Sequence, residues 1–474
     1  MSDLPLTIAD AARALRAREL TSVELTTALL ERADKLDPLL GVYITRMDES
    51  ALRAARRADA QFELGIDRGP LQGIPVGLKD ILSTDDAPTT AQSLVMDPTW
   101  SEQGDAVVVS RLREAGAVII GKTTTMEFAC GQPDPEKPFP IPKNPWNPEY
   151  WTGGSSSGTA GGIAAGLFLG GLGTDTGGSV RGPSAFCGIS GIRQTYGRVP
   201  KSGCTQNGFS LDTVGPMART VRDVAILLQV IAGAHHTDIT SIRKPVPNYQ
   251  AALTGDLTGM RIGIVREGFT RNNDKVLPET VKAFDDAGRV LEEAGAVVEE
   301  VVIPNADLMI TAHAVNNAAE KAGIYLKRMR ERWPDWGKYT RVGGPTFGLF
   351  FTSADYMQCL RVRRYAQKVI AGLMETYDVL LTPTAPGTAP RLADMGYPEK
   401  FGNNGYNTGI WSLVGLPTLA IPMGFANNGL PLSLQITGRP FDEATVLRVG
   451  DAYQRLTDWH LRVPPILKEA EVPA

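Results

Sequence analysis

The sequence predicts an α/β protein, and three observations carry that prediction. Residues 106–121, AVVVSRLREAGAVIIG, combine an apolar helix face around Val109 and Leu112, a stop at Gly116 and a buried strand at 118–120. Short apolar runs punctuated by Gly or Pro recur at 71–82, 260–265 and 378–386 beside helical patterns, and such alternation builds α/β folds. No internal repeat or low-complexity linker interrupts the 474 residues, which favours one continuous domain over 1–474.

Taken in order, residues 7–60 read as helix, because apolar residues recur at spacings of three and four: Ile8, Ala11, Ala12 and Leu15, then Val23, Leu25, Leu29 and Leu30. Thr21 with Glu24 reads as a capping box opening the second helix. Residues 71–82, LQGIPVGLKDIL, switch to the pattern of a buried strand. From 123 to 151 periodicity is lost and Pro is dense, which predicts a long ordered loop, and long loops in compact domains are often functional. Residues 151–200 concentrate Gly, Ser and Ala, with 160–173 read as a tightly packed helix. A turn-rich segment at 202–220 and a helix at 221–232 follow, then a polar connection at 233–250 that holds His235 and His236. Strands at 260–265 and 296–304 flank an amphipathic helix at 278–294, and helices dominate 306–376. Strands at 378–386, 416–423 and 432–438 precede a last helix at 442–456.

Composition excludes several classes. A net charge of -4 from 48 basic and 52 acidic residues, with no long block of either sign, removes the electrostatic footprint of a dedicated nucleic-acid binder. The four cysteines, Cys130, Cys187, Cys204 and Cys359, lack CxxC spacing, as expected of reduced thiols in a cytoplasmic protein. The amino terminus is charged throughout and no run of about 18 apolar residues occurs. A soluble, unexported chain without a membrane span is expected.

The Gly-rich stretch invites a phosphate-binding reading, but GGSSSGT at 153–159 lacks the lysine of a Walker loop. GLGTDTGG at 171–178 likewise misses the dinucleotide spacing. A histidine-assisted serine is disfavoured because His235, His236, His313 and His460 belong to no Gly-flanked turn or apolar strand end. Metal hydrolysis lacks HxxxH spacing. A serine activated by lysine remains, since a neutral amine can act as general base. Lys79 lies among Val76, Leu78 and Ile81; it is either a surface lysine paired with Asp80 or one desolvated enough to be neutral, at a cost of roughly 4 kcal/mol near pH 7. Gly177 and Gly178 before Ser179 would leave successive backbone N–H groups free to point into a site.

These residues sit in motifs that resemble the amidase signature family of amide hydrolases. The resemblance is carried by GIPVGLKD (73–80), TGGSSSGTAGG (152–162), LGTDTGGSVRGPSAFCGISGIRQTYGRV (172–199) and SLDTVGPMART (210–220). It continues through DVLLTPTAP (378–386), GLPTLAIPMG (415–424) and LPLSLQITGRPFDEATVLRV (430–449), in family order over nearly the whole chain. It implies a central mixed β-sheet covered by helices on both faces, with a helical segment at about 1–65, a signature core at about 66–225 and a remainder that completes the sheet and covers the pocket. It further implies Ser179 as nucleophile, Ser155 as the middle serine held through a cis peptide, and Lys79 as base. The N–H groups of Thr176, Gly177, Gly178 and Ser179 correspond to an oxyanion hole, with Ser156, Asp175 and Arg181 in support and Ser156 orienting Lys79. Phe128, Ala129 and Gly131 are the expected acyl-pocket wall, closed by 204–209 and Trp411. No metal or organic cofactor is implied. The expected reaction is hydrolysis of a small aryl or aliphatic amide or hydrazide, with a homodimer left open. The alternative is the A subunit of a glutamyl-tRNA amidotransferase, disfavoured by the form of residues 126–146; a catalytically silent scaffold is disfavoured by the intact Lys79, Ser155 and Ser179.

Overall fold

The computed structural model describes residues 4–271, 273–396 and 405–470, so the first three and last four residues of the predicted domain lie outside it. Among the described residues the strands are β1 (Tyr43–Arg46), β2 (Pro75–Lys79), β3 (Val118–Thr123), β4 (Lys143–Asn144), β5 (Asn147–Trp151), β6 (Gly170–Asp175) and β7 (Ser190–Arg193). They continue as β8 (Thr213–Ala218), β9 (Arg261–Ile264), β10 (Val297–Glu300), β11 (Val379–Pro383), β12 (Thr418–Phe425) and β13 (Pro431–Gly438). Eleven form one mixed sheet in the order β1-β3-β2-β6-β8-β7-β12-β13-β11-β9-β10, while β4 and β5 pair as a hairpin. β2 runs parallel to β3 and β6, and β9 parallel to β10 and β11.

The central strands β2, β3, β6, β8 and β11 are buried at every position, as strands covered on both faces must be. Buried residues of helices Ile8–Arg16, Ser22–Leu40, Val221–Ile231, Pro278–Glu293 and Glu443–Leu456 join the sheet in the main core. A second apolar cluster lies beneath helices Ala306–Arg332 and Ser353–Thr376. The Thr21–Glu24 capping box forms, with Glu24 N donating to Thr21 Oγ1 at 3.1 Å and Thr21 N to Glu24 Oε2 at 2.8 Å.

Four expectations are corrected. The helical reading of 7–60 is interrupted by β1, which pairs with β3. The helix expected over 160–173 spans only Ser157–Ala164; Gly166 turns the chain with φ +65°, and 170–175 becomes β6, paired on both sides by β2 and β8. The turn-rich segment 202–220 contains β8, a central strand. The loop from 123 to 151 contains the β4–β5 hairpin. Among the described residues, no helix is long and apolar enough to cross a membrane.

Candidate active site

Lys79 is the last residue of β2, and Thr174 and Asp175 close its parallel neighbour β6, so the register Leu78↔Leu172 brings both carboxyl ends to one edge of the sheet. There the Lys79 amine is fully buried, 2.6 Å from Ser155 Oγ and 2.8 Å from Thr174 Oγ1. Burial lowers its pKa from 10.5 to about 7, against the pull of Asp175 and Asp212. The Gly154–Ser155 peptide bond is cis.

Ser155 and Ser179 line one cavity of about 590 Å³. Ser156 N donates to Ser179 O at 3.1 Å and ties the two serine segments together. No hydrogen bond joins the two serine hydroxyls among the described residues; such contacts are often long before substrate binds. Ser156 does not reach Lys79. Its hydroxyl donates to Thr174 O at 3.3 Å and accepts from Thr174 N at 3.2 Å, so direct support for Lys79 comes from the Thr174 hydroxyl, a residue that sequence reasoning passed over.

Of the four expected oxyanion donors, Gly178 N is already committed to Asp175 Oδ1 at 2.9 Å. The N–H groups of Thr176, Gly177 and Ser179 find no acceptor among the described residues, and all three residues line the cavity. Gly178 has φ +128°, and a Cβ there would lie 2.3 Å from Thr408 Oγ1, so only glycine allows this turn.

Beneath it, Asp175 receives Arg181 through Nε at 3.0 Å and Nη2 at 2.9 Å, and Arg193 Nη1 at 3.2 Å; all three side chains are fully buried. Burial alone would raise the pKa of Asp175, but the two guanidinium groups outweigh it and hold the carboxyl well below the usual range. Arg181 also donates to Thr408 O, Gln435 Oε1 and Ser412 Oγ.

The expected pocket wall is partly revised. Ala129 and Gly131 line the cavity, but Phe128 does not; its ring packs 4.8 Å from Tyr325 and 5.3 Å from Trp336 in a separate aromatic cluster. Within 204–209 only Asn207 reaches the cavity, and Phe209 is exposed. Trp411 is buried in the second core instead. The helix Ala306–Arg332 supplies wall residues that sequence reasoning did not single out as such: His313, Asn317 and Lys321. Their recurrence at every fourth position was the one available signal. Burial lowers the pKa of His313 to about 4, so its imidazole is neutral near pH 7.

A family model described as Amidase matches residues 24–447. The chain belongs to the amidase signature family. Membership makes it a C–N amidohydrolase-type enzyme acting on amides. It is 42% identical to the A subunit of the glutamyl-tRNA(Gln) amidotransferase of Roseiflexus sp. (strain RS-1), covering 97% of this chain and 98% of that protein. The solved structure of the corresponding A subunit from Thermotoga maritima is 30% identical with a TM-score of 0.79, covering 94% of both chains. A structure described as a vestigial protein complex that reveals the evolutionary origins of an s-triazine catabolic enzyme is 28% identical with a TM-score of 0.87, covering 95% of this amidase and 98% of that chain.

Proposed function

We propose that the protein hydrolyses a carboxylic amide through an acyl-enzyme on Ser179, with Ser155 and Lys79 moving the proton. The observation that carries this is the 2.6 Å contact between the buried Lys79 amine and Ser155 Oγ, beside the unengaged backbone donors around Ser179. Neutral Lys79 accepts the Ser155 proton while Ser155 accepts that of Ser179, whose oxygen attacks the carbonyl carbon. The oxyanion takes hydrogen bonds from the N–H groups of Thr176, Gly177 and Ser179; each such donor is typically worth about 10²–10³ in rate. Ser155 returns a proton to the leaving nitrogen, and the C–N bond breaks. Water activated by the same relay then cleaves the acyl ester to a carboxylate.

The names of the relatives favour the A subunit of an amidotransferase, releasing ammonia from glutamine, over the free-standing small-amide hydrolase expected from residues 126–146. The cavity favours the second reading. Its wall includes Ile310, Val315, Phe347 and Phe351, and among the described lining residues no carboxylate meets the α-ammonium of an amino acid. In either reading the chain acts as one domain over 1–474, in the cytoplasm.

The test is turnover by the purified chain, alone and with amidotransferase partner subunits, on glutamine, aryl amides, hydrazides and aliphatic amides, with intact-mass trapping of the acyl adduct. Turnover of glutamine only with partners supports the amidotransferase reading. Undiminished turnover by Ser179→Ala would sink the mechanism.

A further inference from the structure

His313, Asn317 and Lys321 form one row on one face of the helix Ala306–Arg332 and all line the cavity that holds Ser155 and Ser179. At one end of the row, the His313 ring packs on Gly177, where a Cβ would come within 2.8 Å of it. At the other, eight residues on and about 12 Å along the helix axis, Lys321 is only 8% exposed. Its ammonium makes no hydrogen bond or ion pair among the described residues, and no Asp or Glu is among those that line the cavity. Instead it lies near Gly344 and Cys130: a Cβ on Gly344 would be 3.8 Å from Lys321 Nζ and 2.7 Å from Cys130 Sγ.

The Lys321 side chain is mostly buried while its ammonium faces a cavity with no carboxylate among its described lining residues, so an anion on the ligand would be its nearest counter-charge. Between the two ends, Asn317 Oδ1 is buried without a hydrogen-bond partner among the described residues. Helical side chains lean toward the helix N-terminus, so the lysine stem points back toward the reacting end and shortens the span to that of a few carbons.

We infer that the acyl part of the substrate carries a carboxylate and that Lys321 receives it: the site takes the half-amide of a short dicarboxylic acid. This rests on the amide-hydrolase reading and divides its two substrate classes. Glutamine presents the same carboxylate, but its α-ammonium finds no carboxylate among the described residues of this wall. The charge on Lys321 also reaches the reacting groups, adding to burial in lowering both Lys79 and His313.

The test uses the full chain carrying Ser179→Ala, titrated calorimetrically with sodium glutaramate and with uncharged pentanamide of equal carbon number. Glutaramate should bind at least about tenfold more tightly, as a charge-assisted contact implies. The gap should close when Lys321→Met is added and persist with Lys321→Arg. Equal binding of the two amides, no binding of either, or a preference that survives Lys321→Met overturns the inference. Lys321-dependent binding of glutaramate, in a protein whose wild type hydrolyses no amide, leaves the inference standing and overturns the hydrolase reading instead.

Discussion

In the proposed relay Lys79 must be neutral to take a proton, and the pH–rate profile measures that requirement. Burial brings its pKa from 10.5 to about 7. A base of that strength is neutral in about one tenth of molecules at pH 6 and about nine tenths at pH 8, so kcat/KM for an uncharged amide should rise about tenfold over that interval and then level off. The same burial has a cost in stability. Because the folded pKa lies below the unfolded one, the unfolded chain binds the additional proton between about pH 7 and 10.5, and stability increases with pH through that window. The gap corresponds to about 5 kcal/mol. Lys79→Met removes the buried charge at similar volume but also loses the contacts with Ser155 and Thr174, each worth about 0.5–1.5 kcal/mol for a neutral amine and together less than that gap. The variant should therefore be inactive yet unfold at higher urea concentration than wild type at pH 7, with the difference shrinking toward pH 10. Steady-state kinetics between about pH 6 and 9, with urea unfolding at both ends, measure both effects. A flat kcat/KM from pH 6 to 8, or a Lys79→Met variant as active as wild type, would refute the reasoning.

Asp175→Asn should leave Arg181 and Arg193 buried against a neutral amide, destabilising the fold by about 3–5 kcal/mol; thermal unfolding within a degree of wild type would contradict this. Gly178→Ala should force a methyl group into Thr408 at a φ of +128°, costing about 1–3 kcal/mol and, by moving the neighbouring donors, about 100-fold in kcat. Thr174→Val should weaken the hold on Lys79 and lower kcat with little change in KM, measured on whichever amide the wild type turns over.

How far the site was legible in sequence depended on whether its residues lay in local patterns. Lys79 ends an apolar run and Ser179 follows a Gly pair, so both were found. β6, GGLGTD, begins inside the helix read over 160–173, and β8, TVGPMA, lies in a segment read as turns, because Gly and Pro weaken the strand signal; yet each is held between two neighbours and opposes the other, with Pro216 facing Leu172. The family resemblance places Phe128 and Trp411 at the pocket, whereas packing sends both rings into apolar clusters. Lys321 and His313 are two of many polar residues in a 27-residue helix, and only the fold makes them neighbours of the serines.

The pairing of β2 with β6 also bears on how the protein is made. Lys79 meets Ser155 across 76 residues of sequence and Thr174 across 95, and no local segment contains both the proposed base and the proposed nucleophile. A chain synthesised only through the helix Ser157–Ala164 holds Lys79 and Ser155 but lacks the strand beside which the amine is sealed from water. In the proposed mechanism the base is therefore assembled only once β6 pairs with β2, and a chain cut before β6 should hydrolyse no amide.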